Sequence, residues 1–334
     1  MDEEYLVRRR SLFSLDRETW DTFAIRSGAA YTASYRWLVS RWLKGIGRKR
    51  VRLLEISLRR PQGDEKIAQC ALESGAGEHS FVDGLQILPE YQQLWPEIMA
   101  AVLADVGAGR FRYGGTWNIE PPRHEEAAKI RGVTVGDARD FFIQLVELSR
   151  WPSWDRYWAK VSDSVRYESK YAPERVPGLR LVKYAGMKML AALPSFASLQ
   201  GSSYSRKGIN FSQGRELARY AYYGLICADM KELILAHADA GVLAGFFGAQ
   251  FGRDLFYIHG GQRAGNGGAN WFLLKEMTRL AYDRDPNSRF VMGNFDPKVH
   301  DESAGGGLLR ARKALRTSDV PTSMFTFTYA PAAR

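Results

Sequence analysis

With 334 residues, 45% of them apolar and 13% aromatic, the chain is no disordered polypeptide, and it is too long for one ordinary core. Two lobes of roughly 150 residues are expected. A net charge of +10 favours polyanionic partners: a phosphorylated co-substrate, RNA or an anionic membrane surface. No apolar run reaches the roughly 18 residues of a membrane span, and no secretory signal follows the first arginines. Cys70, Cys227 and the scattered histidines lack metal-ligand spacing, so a cytoplasmic protein with reduced thiols and no metal is expected.

In chain order, the first half offers three strands, RVRLLEISL (50–58), EKIAQCALES (65–74) and EHSFVDGL (78–85). A helix over 91–106, interrupted by Pro96, leads to the strand GRFRYGG (109–115). Residues 151–176 read as a helix with Ser153 as N-cap and Pro173 as its stop. On that helix Trp154, Tyr157, Trp158, Val161 and Val165 share one face, and Arg156, Lys160, Arg166 and Lys170 the other. The basic stripe is a solvated helix side or the border of a phosphate-rich ligand, with Arg166 as its substrate contact.

The second half repeats the order of the first. MKELILAHAD (230–239), GVLAGFFGAQFG (241–252) and RDLFYIHGG (253–261) are strands, Trp271 to Tyr282 is a helix, and SRFVMGN (288–294) is a strand. Between third strand and helix lies HGGQRAGNGG (259–268), whose glycines Gly260, Gly261, Gly265, Gly267 and Gly268 permit positive φ and leave backbone N–H groups bare. A tight turn feeding a helix N-terminus is suited to phosphate. The corresponding first-half segment, LQILPEYQQ, is filled by Leu, Pro and Tyr and offers no such run of N–H groups. The expected division is therefore 1–150, a scaffold and acceptor wall, and 151–334, a donor-binding lobe.

Gln262, Gly265 and Gly267 fit the spacing Q/R-x-x-G-x-G/A, and this loop resembles the pyrophosphate loop of the GNAT acyltransferase superfamily. Trp154, Tyr157, Ser162 and Arg166, the segment SSYSRKGINFS, the paired strands before the loop, and Gly293 with Lys298 resemble the FemAB-like and cellulose-biosynthesis-type acetyltransferase branch. That resemblance implies an α/β (α+β) fold of two tandem GNAT-like lobes, each a mixed sheet flanked by helices. It implies acyl-coenzyme A as co-substrate, gripped by Gln262, Arg263, Gly265, Asn266, Gly267 and Gly268. Direct attack by an amine or hydroxyl acceptor on the thioester needs no metal.

Candidate chemistry surrounds the loop. His259 ends the strand before it and is either a base near neutral pH or a hydrogen-bonded structural histidine. Strict alternation puts Tyr257, a candidate substrate contact, on the same face as His259. Asn294, Asp296 and Lys298 follow the last core strand; Asp296 can act as base and Lys298 as anchor, or GNFDPK is an Asp-Pro turn. The family's aromatic residue before its lysine is replaced by Pro297, and GGGLLRARKALRT has no tyrosine acid. The basic runs RKRVR (48–52) and LLRARKALR (308–316) are solvated edges or contacts for RNA or membrane phosphates.

Three functions stay open: an acyl-coenzyme A-dependent N- or O-acyltransferase, a tRNA-dependent aminoacyl transferase of the FemAB type, and a non-catalytic binding protein. The acceptor is a small molecule, lipid or sugar, with charged tRNA and peripheral contact at the inner membrane face as further partners.

Overall fold

The computed structural model describes residues 4–206, 208, 210–296, 298 and 306–331. Two compact units divide the chain: residues 1–143 with 320–334, and residues 144–319. The final strand therefore belongs to the first unit and not, as a cut at residue 150 implies, to the second.

The first unit contains β1 (Tyr5–Arg10), α1 (Arg17–Arg26), α2 (Tyr35–Gly45), β2 (Arg50–Arg60), β3 (Gly63–Gly75), β4 (Glu78–Ile87), α3 (Trp95–Val106), β5 (Gly109–Tyr113), α4 (His124–Ala127) and most of β6 (Val133–Glu147). The second contains α5 (Trp154–Lys160), α6 (Asp163–Arg175), β7 (Arg180–Tyr184), α7 (Met187–Ser205), α8 (Gln213–Ile226), β8 (Lys231–Ala238), β9 (Gly241–Phe251), β10 (Asp254–Gln262), α9 (Ala269–Arg284), β11 (Arg289–Phe295) and α10 (Gly306–Ala314). β12 (Ser318–Tyr329) then runs back into the first unit. Strand order is β1-β2-β3-β4-β5-β12-β6 in the first unit and, from the end of β6, β6-β11-β10-β9-β8-β7 in the second.

The repeated strand–strand–strand–helix–strand pattern is present in both units, as β2-β3-β4-α3-β5 and β8-β9-β10-α9-β11. In each, the two strands joined by the helix run parallel, while the hairpin neighbours are antiparallel. This is the expected α/β class, with the same strand and helix order in both units. Alternation decides the layers. Leu233 and Leu235 of β8 pack under α7 and α8 with Phe196 and Tyr220, whereas Ile234 and Ala236 pack under α9 with Leu273 and Met277. In the first unit Leu53 joins Trp20 and Leu38 beneath α1 and α2, and Leu54 and Ile56 join Trp95 and Met99 beneath α3.

Prolines act differently from expectation. Pro96 opens α3 from its first turn, where no helical N–H is needed, and does not interrupt it. Pro173 sits inside α6, which continues to Arg175 because only its last turn follows. The apolar stripe from Trp154 to Val165 spans two helices, α5 and α6. Ser153 caps the first, its hydroxyl accepting from Arg156 N at 3.3 Å.

Candidate functional site

β10 and β11 pair only at Leu255–Phe290 and Phe256–Val291. One end of this short ladder is pinned: buried Asp254 accepts from Arg289 N at 2.9 Å and from Arg289 Nε at 2.9 Å. Beyond Phe256 the strands part. β10 from Tyr257 keeps only β9 as partner, and β11 from Met292 has no β10 partner. Because the strands are parallel, the gap widens towards both C-terminal ends, where residues 263–268 lead into α9. A wedge between two free strand edges can take up an amide-bearing chain.

The loop at its mouth has the expected backbone. Gly265, Gly267 and Gly268 have φ of 62°, 61° and 89°. Gly268 is required twice over: it is left-handed, and a Cβ there would stand 2.6 Å from the Glu168 carbonyl oxygen of α6. Gly265 is exposed, with open space about it. Asn266 organises the loop internally. Its Oδ1 accepts from Gly268 N at 3.1 Å, and its Nδ2 donates to Gln262 Oε1 at 3.0 Å. Among the described residues no acceptor takes the N–H groups of Gly267, Asn270 or Trp271. They add to the positive end of the α9 dipole. α6 covers one flank, with Glu168 neutralised by Arg175 at 2.8 Å. Arg263, Ala264 and Gly265 leave the other flank open. The Arg263 guanidinium has no acidic partner among the described residues and borders a groove of about 500 Å³ lined by Ser195, Ser198, Ser202 and Val242.

Gly260 and Gly261 lie within β10, not in the turn, and their missing side chains serve close approach. The Tyr257 hydroxyl occupies the place of a Gly260 Cβ, and the α7 backbone at Leu199 and Gln200 that of a Gly261 Cβ. A β-bulge between Tyr257 and His259 breaks the strict alternation. Tyr257 consequently packs against Phe246 and Phe290 on the α9 side, while His259 packs against Tyr220 and Phe247 on the α7–α8 side.

The first unit repeats the wedge and fills it. β4 and β5 pair from Glu78–Arg110 to Ser80–Arg112 and then part. The Tyr113 hydroxyl bridges the gap, accepting from Leu85 N at 3.0 Å and Trp95 Nε1 at 2.9 Å and donating to buried Glu120 at 2.7 Å. Asn118 Nδ2 reaches the same carboxylate at 2.9 Å. Tyr113, Asn118 and Glu120 are thus hydrogen-bonded to one another where the strands part.

No family model matches the sequence, and no curated protein does. Among solved structures, FemX is similar with a TM-score of 0.69, at 12% identity over 97% of each chain. The chain has the FemX fold. A conserved protein of unknown function from Bacteroides thetaiotaomicron VPI-5482 shares it, with a TM-score of 0.59 and 10% identity over 97% of this chain and 100% of that one. So does L-PGS from Bacillus licheniformis, with a TM-score of 0.50 and 10% identity over 95% and 92%.

Within this FemX fold the expected site residues separate into three groups. Gln262, Arg263, Gly265, Asn266, Gly267 and Gly268 are brought together at the wedge mouth, although the Gln262 backbone is held by Ser203 Oγ at 2.9 Å and its side chain by Asn266. Asn294 is the penultimate residue of β11, Asp296 accepts from Lys298 N at 2.9 Å in a turn, and Lys298 is exposed; Pro297 lies outside the described residues. His259 and Arg166 are committed elsewhere. Arg219 Nη2 donates to His259 Nε2 at 3.1 Å, and a guanidinium only donates, so the imidazole lone pair is used. Burial, then Arg219 and Lys231, press the His259 pKa down to about 3, which favours the hydrogen-bonded structural histidine over the neutral-pH base. Arg166 spends its guanidinium on the Val161 carbonyl at 3.1 Å and on Asp163, bracing the α5–α6 break.

Sequence reasoning missed Arg312. This α10 residue is buried, donates to Asn294 O at 3.1 Å, and lies 3.4 Å from Gly293 O and Gln144 Oε1. Its Nε has no partner among the described residues, nor does any carboxylate pair with it. Burial lowers its pKa to about 10, and burial pushes that of neighbouring Tyr257 up to about 12. The only signal in sequence was an arginine at the apolar spacing of Leu309 and Leu315 within a run that otherwise reads as a basic surface.

Proposed function

We propose that the protein is an acyltransferase whose donor, acyl-coenzyme A, binds in the β10–β11 wedge. The observation that carries this reading is the wedge opening onto a glycine loop with free N–H groups at a helix N-terminus. In this reading Gly267, Asn270 and Trp271 N–H groups and Arg263 hold the pyrophosphate. The free edges of β10 and β11 hold the amides of the pantetheine arm. An amine or hydroxyl acceptor attacks the thioester carbon; the new C–N or C–O bond forms, the C–S bond breaks, and the thiolate takes up the acceptor's proton. Arg312, a desolvated cation with an unused N–H, stabilises the developing oxyanion. Asp296 and Lys298, beyond the open end of β11, are the base and the acceptor anchor, with Asn294 beside them and Tyr257 on the wedge wall. The first unit, whose wedge is plugged, serves as scaffold and acceptor wall.

Aminoacyl transfer from charged tRNA is the second reading. It is favoured by the FemX fold and by the net charge of +10. The two readings separate by direct binding, measured as thermal stabilisation with acetyl- or long-chain acyl-coenzyme A and as salt-sensitive binding of charged tRNA. Gly265→Asp is the diagnostic variant, since its side chain enters open space and aspartate tolerates left-handed φ. Loss of acyl-coenzyme A binding with the fold retained is expected. Unchanged affinity removes the loop from the donor site, and absence of both ligands favours a non-catalytic binding protein.

A further inference from the structure

The proposed reaction leaves unused a one-signed surface of the first unit. Between Asp21 and Glu55 the sequence holds eight arginines and lysines and no acidic residue. α2 ends at Gly45, whose carbonyl accepts from Arg48 N at 2.8 Å and Lys49 N at 2.7 Å. The chain thus doubles back within one turn and gathers Lys44, Arg48, Lys49 and Arg50 around the helix end. Lys49 is shared with Arg41 on Glu73, but Arg48, Arg50 and Arg52 have no acidic partner among the described residues. These three and Lys49 line a groove of about 440 Å³ beside His79.

Apolar side chains stand out of the same corner. Ile46 is 59% exposed and Leu43 38%, and Phe13, 73% exposed, packs edge-on against Trp42 with ring centroids 5.0 Å apart. The hydrophobic effect favours burying such groups, and here they are left open among cations. RNA phosphates would satisfy the arginines but gain nothing from Leu43 and Ile46. An anionic bilayer satisfies both: cations meet lipid phosphates while aliphatic and aromatic groups enter the boundary with the acyl chains. We propose that the α2–β2 corner, with Phe13, Leu43 and Ile46 set among Lys44 and Arg48 to Arg50, docks the protein on an anionic membrane surface.

The test is flotation of the full chain with vesicles of phosphatidylcholine alone or mixed with phosphatidylglycerol. Binding to the mixed vesicles only, weakened by salt, is expected. The combined change Arg48→Glu, Lys49→Glu and Arg50→Glu, at exposed positions, should weaken it on the order of a hundredfold. Phe13→Ser with Ile46→Ser should remove the part that resists salt. Circular dichroism and thermal melting confirm that both variants fold. Failure to bind mixed vesicles, or undiminished binding by the charge-reversed chain, overturns the proposal. So does tRNA binding that depends on the same arginines while vesicle binding does not, which would make the corner an RNA surface.

Discussion

Asp254 and Arg289 set where the wedge between β10 and β11 begins. Their backbone and side-chain hydrogen bonds, both 2.9 Å, hold the first residues of β10 and β11 in register, and two residue pairs later the strands are free to separate. The carboxylate is nearly inaccessible and the guanidinium about one-fifth exposed, so the pair is largely desolvated.

Asp254→Asn should therefore destabilise the protein by about 3 kcal/mol, because a largely desolvated guanidinium loses its charge partner. Urea denaturation gives the midpoint shift. A change within error would mean that the strand pairing does not depend on this contact.

Arg312→Met should separate stability from turnover. Removing a buried cation without a carboxylate partner should raise the urea midpoint, while kcat falls about a hundredfold if the guanidinium stabilises transition-state charge. Arg312→Lys should recover part of the rate. Equal turnover in all three proteins would exclude Arg312 from the reaction.

The environment of His259 predicts an acid sensitivity. Its folded pKa of about 3 lies below the unfolded value near 6.5, so the unfolded chain binds more protons between these limits. The contribution is complete above pH 6.5 and is lost as pH falls towards 3, reaching about 2 kcal/mol by pH 5. His259→Gln should flatten this part of the pH–stability curve, measured by thermal melting from pH 5 to 7.5. An identical slope in the variant would contradict the assignment.

Asp83 predicts the opposite slope. Burial raises its pKa to about 6 from 3.8, against the hydrogen bond from Ala30 N at 3.3 Å. The native state then binds more protons between these values, and stability falls as pH rises through them. Asp83→Asn keeps a residue that tolerates the left-handed φ of 65° and should stabilise the protein by about 3 kcal/mol at pH 7.5, with little effect at pH 4. Calorimetry at both pH values distinguishes this from a pH-independent packing effect.

Local pattern made much of the architecture legible. The strands β2, β3, β4, β8, β9, β10 and β11 announce themselves as apolar runs between turn residues, and the repeated order follows from them. The glycine loop was equally plain, because positive φ and bare N–H groups are properties of single residues. Tertiary structure decided the rest. The bulge after Tyr257 turned His259 away from its expected face, since one extra residue in a ladder inverts alternation without leaving a mark in composition. Arg166 looked available until the break between α5 and α6 gave it a carbonyl to hold. Arg312 looked like surface charge until α10 packed it against the parted strands. The return of β12 to the first unit is likewise a long-range pairing, settled by which strand edges stand open after folding and not by any nearby residue. Backbone preference and burial are written residue by residue; charge partners and free edges exist only once distant segments meet.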